Sequence, residues 1–492
     1  MTSPWFDNSV FSVSAEQLRA LMPYLWLCGG IAVSTVAAGC GVKTPWARIL
    51  HALILAPYAA FLLWSYREVP QALFGTSLEV DSITRVVGAS VAILGILTGF
   101  LSGRDESRHM EWSPLMLISI LGMSLLPGAR DWVALFVFLE TFSIAGYILT
   151  AADLHRESSL EAGLKYLFLG AFTSAVLLMG MTLLYGTSGS FDFSVIRQAL
   201  TQGTAPSFVA VVGALFVCAS LAFKAALVPF HMWAPDVYQA APFGSAGFLA
   251  SATKVAVFGA LICVLERNGF LLLPEVKTFL QVIAIASVLV GNLMAWGQKS
   301  VRRMMAYSSV ANAGYAALAL SVGVSAAGST LVSLMIYGVT VVGAFAMIEA
   351  LARSMGGVHR YDLQIGELRP ASERVTRFVP VFFAILFFSL AGIPPFPGFL
   401  GKYVVLRDIW AAGFKSGAIA LVIGTLLGLG YYLRILVPMF MEDKEKNEAP
   451  HSGLSNRGPV FAGALCALVL MGCLIGFGRL QQWLELAEGF AR

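Results

Sequence analysis

Four ionisable residues stand in stretches that otherwise exclude charge. Glu140 lies in WVALFVFLETFSIAGYIL, Lys224 in CASLAFKAALVPFHMWAPDVYQAAP, Lys254 in SAGFLASATKVAVFGALICVL and Lys402 in SLAGIPPFPGFLGKYVV. An acid and several lysines away from water suit one kind of chemistry, the holding and release of protons. At an effective dielectric near 20, a carboxylate and an ammonium about 4 Å apart attract by roughly 4 kcal/mol, and separating them to about 10 Å leaves under half of that. Carrying a proton against roughly 150–200 mV takes about 4 kcal/mol. The two scales match, so opening and closing one Glu–Lys contact is enough to load and release a proton. Sodium would call for carboxylates and carbonyls rather than a row of lysines.

The elements that must position these residues are membrane helices. Of 492 residues 58% are hydrophobic and only 12% charged, which excludes an ordinary soluble domain. Apolar windows near 20 residues, enough to cross a hydrocarbon core of roughly 30 Å, fall at 19–41, 47–66, 84–102, 112–128, 131–152, 160–185, 207–228, 242–265, 276–297, 304–323, 328–352, 376–394, 416–440 and 458–477. The expected fold is an all-α integral membrane protein of about fourteen transmembrane helices. A central ionisable residue in such a helix costs roughly 2.5–3.5 kcal/mol on insertion scales and faces a polar cavity, a partner or an ion path.

Two of the helices should be discontinuous. Lys224 is followed by Pro229, Pro235 and Pro242, while Lys402 is preceded by Pro394, Pro395 and Pro397 with Gly392, Gly398 and Gly401 around them. Proline removes an amide donor and clashes with the preceding turn, and the carbonyls so freed, with water, can solvate an ammonium. His231 and Asp236 follow the first break and are candidates to line a water path. Ser308 and Asn312, in RRMMAYSSVANAGY, put polar groups on neighbouring turns of one span, as a hydrated path or as glue between helices would. Arg434 lies near the end of its helix, where it either anchors that helix to headgroups and carbonyls or serves the path.

The broken helices fall at the fourth position of two five-span blocks, spans four to eight and nine to thirteen. Five is odd, so the second block enters the membrane from the opposite side, the inverted-repeat logic of transporters. The chain then divides into an N-terminal three-helix segment (1–109), a first repeat (110–270), a second repeat (271–441) and a loop with a final helix (442–492). Seventeen of the 32 basic residues fall in odd-numbered loops, among them Arg104, Arg108, Arg156, Arg302, Arg303, Arg360, Lys444 and Lys446. These loops are therefore expected in the cytoplasm and both termini on the far side. Residues 1–18 lack a basic leader, so no cleavable signal is expected. The six cysteines form no CxxC pair, and no metal, haem, iron–sulfur, flavin or nucleotide motif is visible, so redox chemistry must happen in another chain. Basic residues in loops speak to topology and not to nucleic acid.

The glutamate span ending in GYIL, EAGLKYLFLGAFTSAVLLMGMTLLYGTSGS, FKAALVPFHMWAPDVYQAAP, GNLMAWGQKSVRRMMAYSSVANAGY, SLAGIPPFPGFLGK and YYLRILVPMF run in order over about residues 110–440. In these motifs the chain resembles the antiporter-like membrane subunits of respiratory complex I, and within them the N branch. The resemblance implies fourteen helices, two inverted five-helix repeats and broken seventh and twelfth helices. It also implies that Glu140, Lys224, Lys254 and Lys402 are the proton-channel residues of a non-redox translocase subunit in the bacterial inner membrane. NADH, FMN, iron–sulfur clusters and quinone would then belong to the parent complex, and the partners would be antiporter-like neighbours, small membrane subunits and the lipid bilayer. A lysine at Lys402 resembles the N or L type, since the M type carries an acid there, and the long lateral C-terminal helix of the L type is missing. Asn312 stands where the family usually has a histidine, and APFGSAGFLASATK lacks the prolines and threonines usual before Lys254. The alternative is a subunit of a multi-subunit cation/proton antiporter, whose chains resemble the same family.

Overall fold

The chain is described from a computed structural model covering residues 14–75, 77–101, 111–203, 207–355, 362–376, 378–440 and 457–475. The termini, the boundaries at 109/110 and 441/442, and Arg104, Arg108, Arg360, Arg377, Lys444 and Lys446 lie outside these residues.

Helices occupy every predicted window. The N-terminal segment holds α1 (Ala15–Gly39), α2 (Thr44–Trp64) and α3 (Ser82–Leu101). The first block comprises α4 (Trp112–Leu125), α5 (Trp132–Thr150), α6 (Glu157–Ser188), a short surface helix α7 (Phe193–Thr201), the broken pair α8 (Ser207–Lys224) and α9 (Trp233–Ala240), and α10 (Phe243–Arg267). The second comprises α11 (Pro274–Trp296), α12 (Val301–Val322), α13 (Ala327–Ser354), a single turn α14 (Leu368–Glu373), the broken pair α15 (Phe378–Ala391) and α16 (Pro397–Ala411), and α17 (Lys415–Phe440). A last helix, α18 (Arg457–Ile475), packs on α13. Among the described residues nine helices are long and apolar enough to cross a membrane, and four shorter apolar ones fill further windows. The remaining window is α12, whose first turns carry Arg302 and Arg303.

Helix starts follow from local chemistry. Ser14 and Gln17 form a reciprocal capping box on α1, Asp131 accepts from the Ala134 amide at α5, and Ser300 accepts from the Arg303 amide at α12. What arranges the helices is burial. The outer helices α1, α2 and α6 bury only a third of their apolar windows, whereas α10 is buried on every side. A helix apolar all round belongs at the centre, and α10 packs against α3, α13, α8, α9 and α12. Lys254, on this helix, is therefore buried among its neighbours.

One element lay outside the helical reading. Strands β1 (Gln71–Leu73) and β2 (Leu78–Val80) make a small antiparallel hairpin before α3, with Ala72 opposite Glu79. It serves as an anchor for the end of α10: Arg267 donates to the Pro127 and Ala129 carbonyls at 2.8 Å each and pairs with Asp81 at 2.7 Å, while Arg130 pairs with Glu79 at 2.7 Å.

The two broken helices stop in the same way. In α8 the Leu227 amide reaches back to the Ala222 carbonyl, with Ala226 in the left-handed region at φ 59°. In α15 the Ile393 amide reaches the Phe388 carbonyl, with Gly392 at φ 77°. This is the six-to-one closure of a helix end on a left-handed residue. It leaves the following carbonyls pointing into protein, and a proline near each break prevents the helix from resuming at once.

Candidate functional site

Lys224, Lys254 and Lys402 sit at or touch a break, whereas Glu140 lies within the continuous helix α5. Glu140 is half-buried on α5 and accepts from the Ser174 hydroxyl of α6 at 2.5 Å. Lys224, the last residue of α8, is buried and turns toward α5, donating to the Ser143 hydroxyl at 2.7 Å and the Tyr147 hydroxyl at 2.9 Å. Its ammonium also faces the rings of Phe142 and Phe223, both at 5.9 Å. The expectation that freed carbonyls of this break hold Lys224 is therefore redirected. The Ala225 carbonyl accepts instead from Lys254 at 3.2 Å, and the Phe223 carbonyl from the Trp233 indole at 2.9 Å.

Lys402 follows the sequence reading directly. Its amine donates to the Leu390 and Ala391 carbonyls at 3.1 and 3.0 Å, the open end of α15, and lies over the Tyr315 ring at 5.1 Å. A side chain on Gly392 would put its Cβ 2.9 Å from Lys402 Cδ, so both the turn and the path of the lysine require glycine there. Beside the amine is a small cavity of about 30 Å³ lined by Asn312, Tyr315, Tyr337, Thr340, Ser389 and Lys402, among others. Among the described residues no carboxylate approaches within 4.0 Å of Lys224, Lys254 or Lys402. Each amine is held by neutral oxygen and is not half of a closed ion pair.

The supporting candidates divide. Asn312 shares the cavity with Lys402, though its amide donates back to the Ser308 carbonyl at 2.9 Å. The Ser308 hydroxyl bonds the Tyr432 hydroxyl of α17. His231 lies at the first break with its ring 6.2 Å from that of Tyr307. Asp236 is elsewhere: it pairs with Arg303 at 2.7 Å and Lys165 at 3.3 Å, in a half-exposed charged cluster that ties α9 to α12 and α6. Arg434 is also remote, donating to the Trp296 and Gln298 carbonyls at 2.6 and 3.0 Å and so capping α11.

The hydroxyls around these charges are not among the residues that the sequence motifs single out. Ser143 and Tyr147 stand three and seven residues after Glu140, the spacing of one helix face, and this signal was available. Ser174 and Tyr315 come from other helices, and nothing in their local sequence connects them to Glu140 or Lys402. Further polar atoms, among them His231 Nδ1 at the first break and Ser245 Oγ at the start of α10, are buried without a protein partner. Polar atoms buried in this way are ordinarily answered by water.

Residues 129–428 match the family model described as NADH:quinone oxidoreductase/Mrp antiporter, TM. The NADH-quinone oxidoreductase subunit N of Sphingopyxis alaskensis is 33% identical over 468 residues, covering 93% of this chain and 96% of that protein. A chain of respiratory complex I from Thermus thermophilus superposes with a TM-score of 0.78 at 28% identity, over 93% of this chain and 97% of its own. A chain of the Mrp complex from a Dietzia species shares the fold at a TM-score of 0.82 and 18% identity, over 96% and 97% of the two chains.

Proposed function

The chain belongs to the NADH:quinone oxidoreductase/Mrp antiporter transmembrane family, and on that premise we propose that Glu140, Lys224, Lys254 and Lys402 are its proton relay. The protein is a proton-translocating, non-redox membrane subunit of a complex I-type NADH-quinone oxidoreductase. It is multi-pass, and other membrane subunits are its partners. We assign the first half-channel to 110–270 and the second to 271–441, with both termini on the periplasmic side. NADH, FMN, iron–sulfur clusters and quinone are assigned to other chains, and antiporter-like and small membrane subunits to its flanks.

The observation that carries the relay is the state of the lysines. Two buried amines, Lys224 and Lys254, and the partly buried Lys402 rest on neutral oxygens, those of Lys254 and Lys402 at the helix breaks, while the acid of the set, Glu140, accepts separately from Ser174. A lysine in such a place can hold or give up its proton according to how near a carboxylate comes. Bringing a carboxylate from about 10 Å to about 4 Å of an ammonium is worth over 2 kcal/mol at an effective dielectric near 20, so an approach of Glu140 to Lys224 can bias the next lysine in line. Water held by His231 would connect the first break to the cavity of Lys402.

The test is NADH-driven proton pumping by the assembled complex in vesicles carrying Lys224→Ala or Glu140→Ala. Fewer protons per NADH are expected in both, and normal stoichiometry in both would refute the relay. Copurification with iron–sulfur subunits and NADH-quinone reductase activity is expected, whereas sodium/proton exchange without them would assign the chain to the antiporter branch instead. A further expectation concerns Asn312. Asn312→His places an imidazole that titrates near neutral pH beside Lys402. Below about pH 6.5 its positive charge opposes that of the ammonium, so pumping should fall between pH 8 and pH 6 in this variant relative to the parent. A pH profile superimposable on the parent's would show that the route does not pass Asn312.

A further inference from the structure

We propose that Tyr147, together with Ser143, is a positioning residue that holds the Lys224 ammonium one helical turn away from Glu140. The inference rests on the relay reading above and assigns a role to hydroxyls that the reading does not use. Glu140, Ser143 and Tyr147 stand in line along one face of α5, and a turn of helix advances roughly 5.4 Å. Lys224 bonds the second and third of these residues and not the first.

The seat is complete without the acid. The Ser143 hydroxyl donates its own hydrogen to the Leu139 carbonyl at 2.5 Å, so its lone pairs remain for Lys224. The Tyr147 hydroxyl oxygen is the second acceptor of the ammonium, and the Phe142 and Phe223 rings lie 5.9 Å away. Glu140, for its part, is answered by Ser174. The two groups make no direct contact, and neutral groups hold the pair open. No proton moves in this arrangement; it stays on the Lys224 amine until both hydroxyl contacts break and the amine crosses toward the carboxylate.

Tyr147 is itself fixed. Its ring meets Tyr166 edge-on at 4.7 Å, Tyr166 stacks on Trp233 at 4.3 Å, and the Trp233 indole donates to the Phe223 carbonyl beside Lys224. Its hydroxyl lies against Gly170 of α6, where any Cβ would overlap the phenolic oxygen. Gly170 is thus the space into which the seat fits.

The test uses the assembled enzyme in vesicles and reads protons pumped per NADH. Lys224→Ala sets the share of pumping that depends on the first half-channel. Tyr147→Phe removes one hydrogen bond to a charged group, and loss of such a bond reduces occupancy of the seat by roughly tenfold or more, so pumping should fall toward the Lys224→Ala level. Gly170→Ala displaces the hydroxyl without removing it, and the same direction is expected. Glu140→Asp shortens the acid by one methylene and reopens the gap, so combined with Tyr147→Phe it should restore pumping severalfold. A merely structural tyrosine would not be rescued in this way. Normal pumping in Tyr147→Phe and Gly170→Ala with loss in Lys224→Ala would overturn the inference and leave the relay standing. Loss in Tyr147→Phe without rescue by Glu140→Asp would overturn it as well. Normal pumping in Lys224→Ala would remove the relay and the inference with it.

Discussion

Lys402→Met should stop proton flux through this chain, and Lys402→Arg should do no better. Met replaces the lysine stem at nearly its volume, so the packing of α16 on α13 and α12 survives, but the Leu390 and Ala391 carbonyls lose their donor. Leaving such groups unanswered costs about 1–3 kcal/mol each, less if water from the adjoining cavity takes the amine's place. The complex should therefore assemble. A positioned proton-transfer group contributes roughly 10²–10⁴-fold to rate, so the flux that passes Lys402 falls by at least about 10², read in the assembled enzyme as fewer protons per NADH. Arginine separates two explanations. Its guanidinium can still donate to both carbonyls and carry a fixed charge, yet it does not release a proton in a protein. If Lys402 works by titrating, Arg fails like Met; pumping restored by Arg would mean that only a permanent positive charge is needed, and the relay would end before this residue.

The identity of the four charges was legible because the membrane makes the signal sharp. An isolated Glu or Lys in a run of apolar residues stands out against a penalty of several kcal/mol, and the proline clusters mark where backbone oxygen becomes free to receive it. Lys402 and its carbonyls were anticipated on those grounds alone. The partner of Lys224 was not. The sequence pairs this lysine with its own break, whereas the fold turns it to Ser143 and Tyr147 on a helix about 80 residues earlier, and gives the break's carbonyl to Lys254. Such an exchange is decided by helix rotation and packing, on which hydropathy is silent. Asp236 and Arg434 show the converse. Both carry charge near a break or a span end, yet one joins a half-exposed cluster and the other caps α11, because a charge within reach of an interface finds partners there. The β1–β2 hairpin was illegible for another reason: its strands are three residues each, too short for an alternating pattern to register.

Among the glycines of the second break, Gly398 should be the least replaceable. Its amide donates to the Ser389 hydroxyl at 3.1 Å, drawing the first turn of α16 onto the last turn of α15. The closeness of that approach leaves no room for a side chain: a Cβ on Gly398 would overlap the Ser389 carbonyl, which is backbone and cannot rotate aside. Gly398→Ala must push α16 away from α15, and overpacking of this kind costs roughly 1–3 kcal/mol or more. The displacement also acts on function, because Lys402 follows one turn later and reaches back across the same gap to Leu390 and Ala391. Gly401→Ala provides the comparison, since a Cβ there would lie 3.3 Å from Ser333 Cα, a contact relieved by a shift of a few tenths of an ångström. We expect Gly398→Ala to lower both the thermal stability of the purified complex, followed as loss of NADH-quinone reductase activity on heating, and its proton pumping. Gly401→Ala should lower each by less. Equal behaviour of the two variants would mean that the α15–α16 junction yields more easily than its backbone contact implies, and that Lys402 is not held by the geometry of the break.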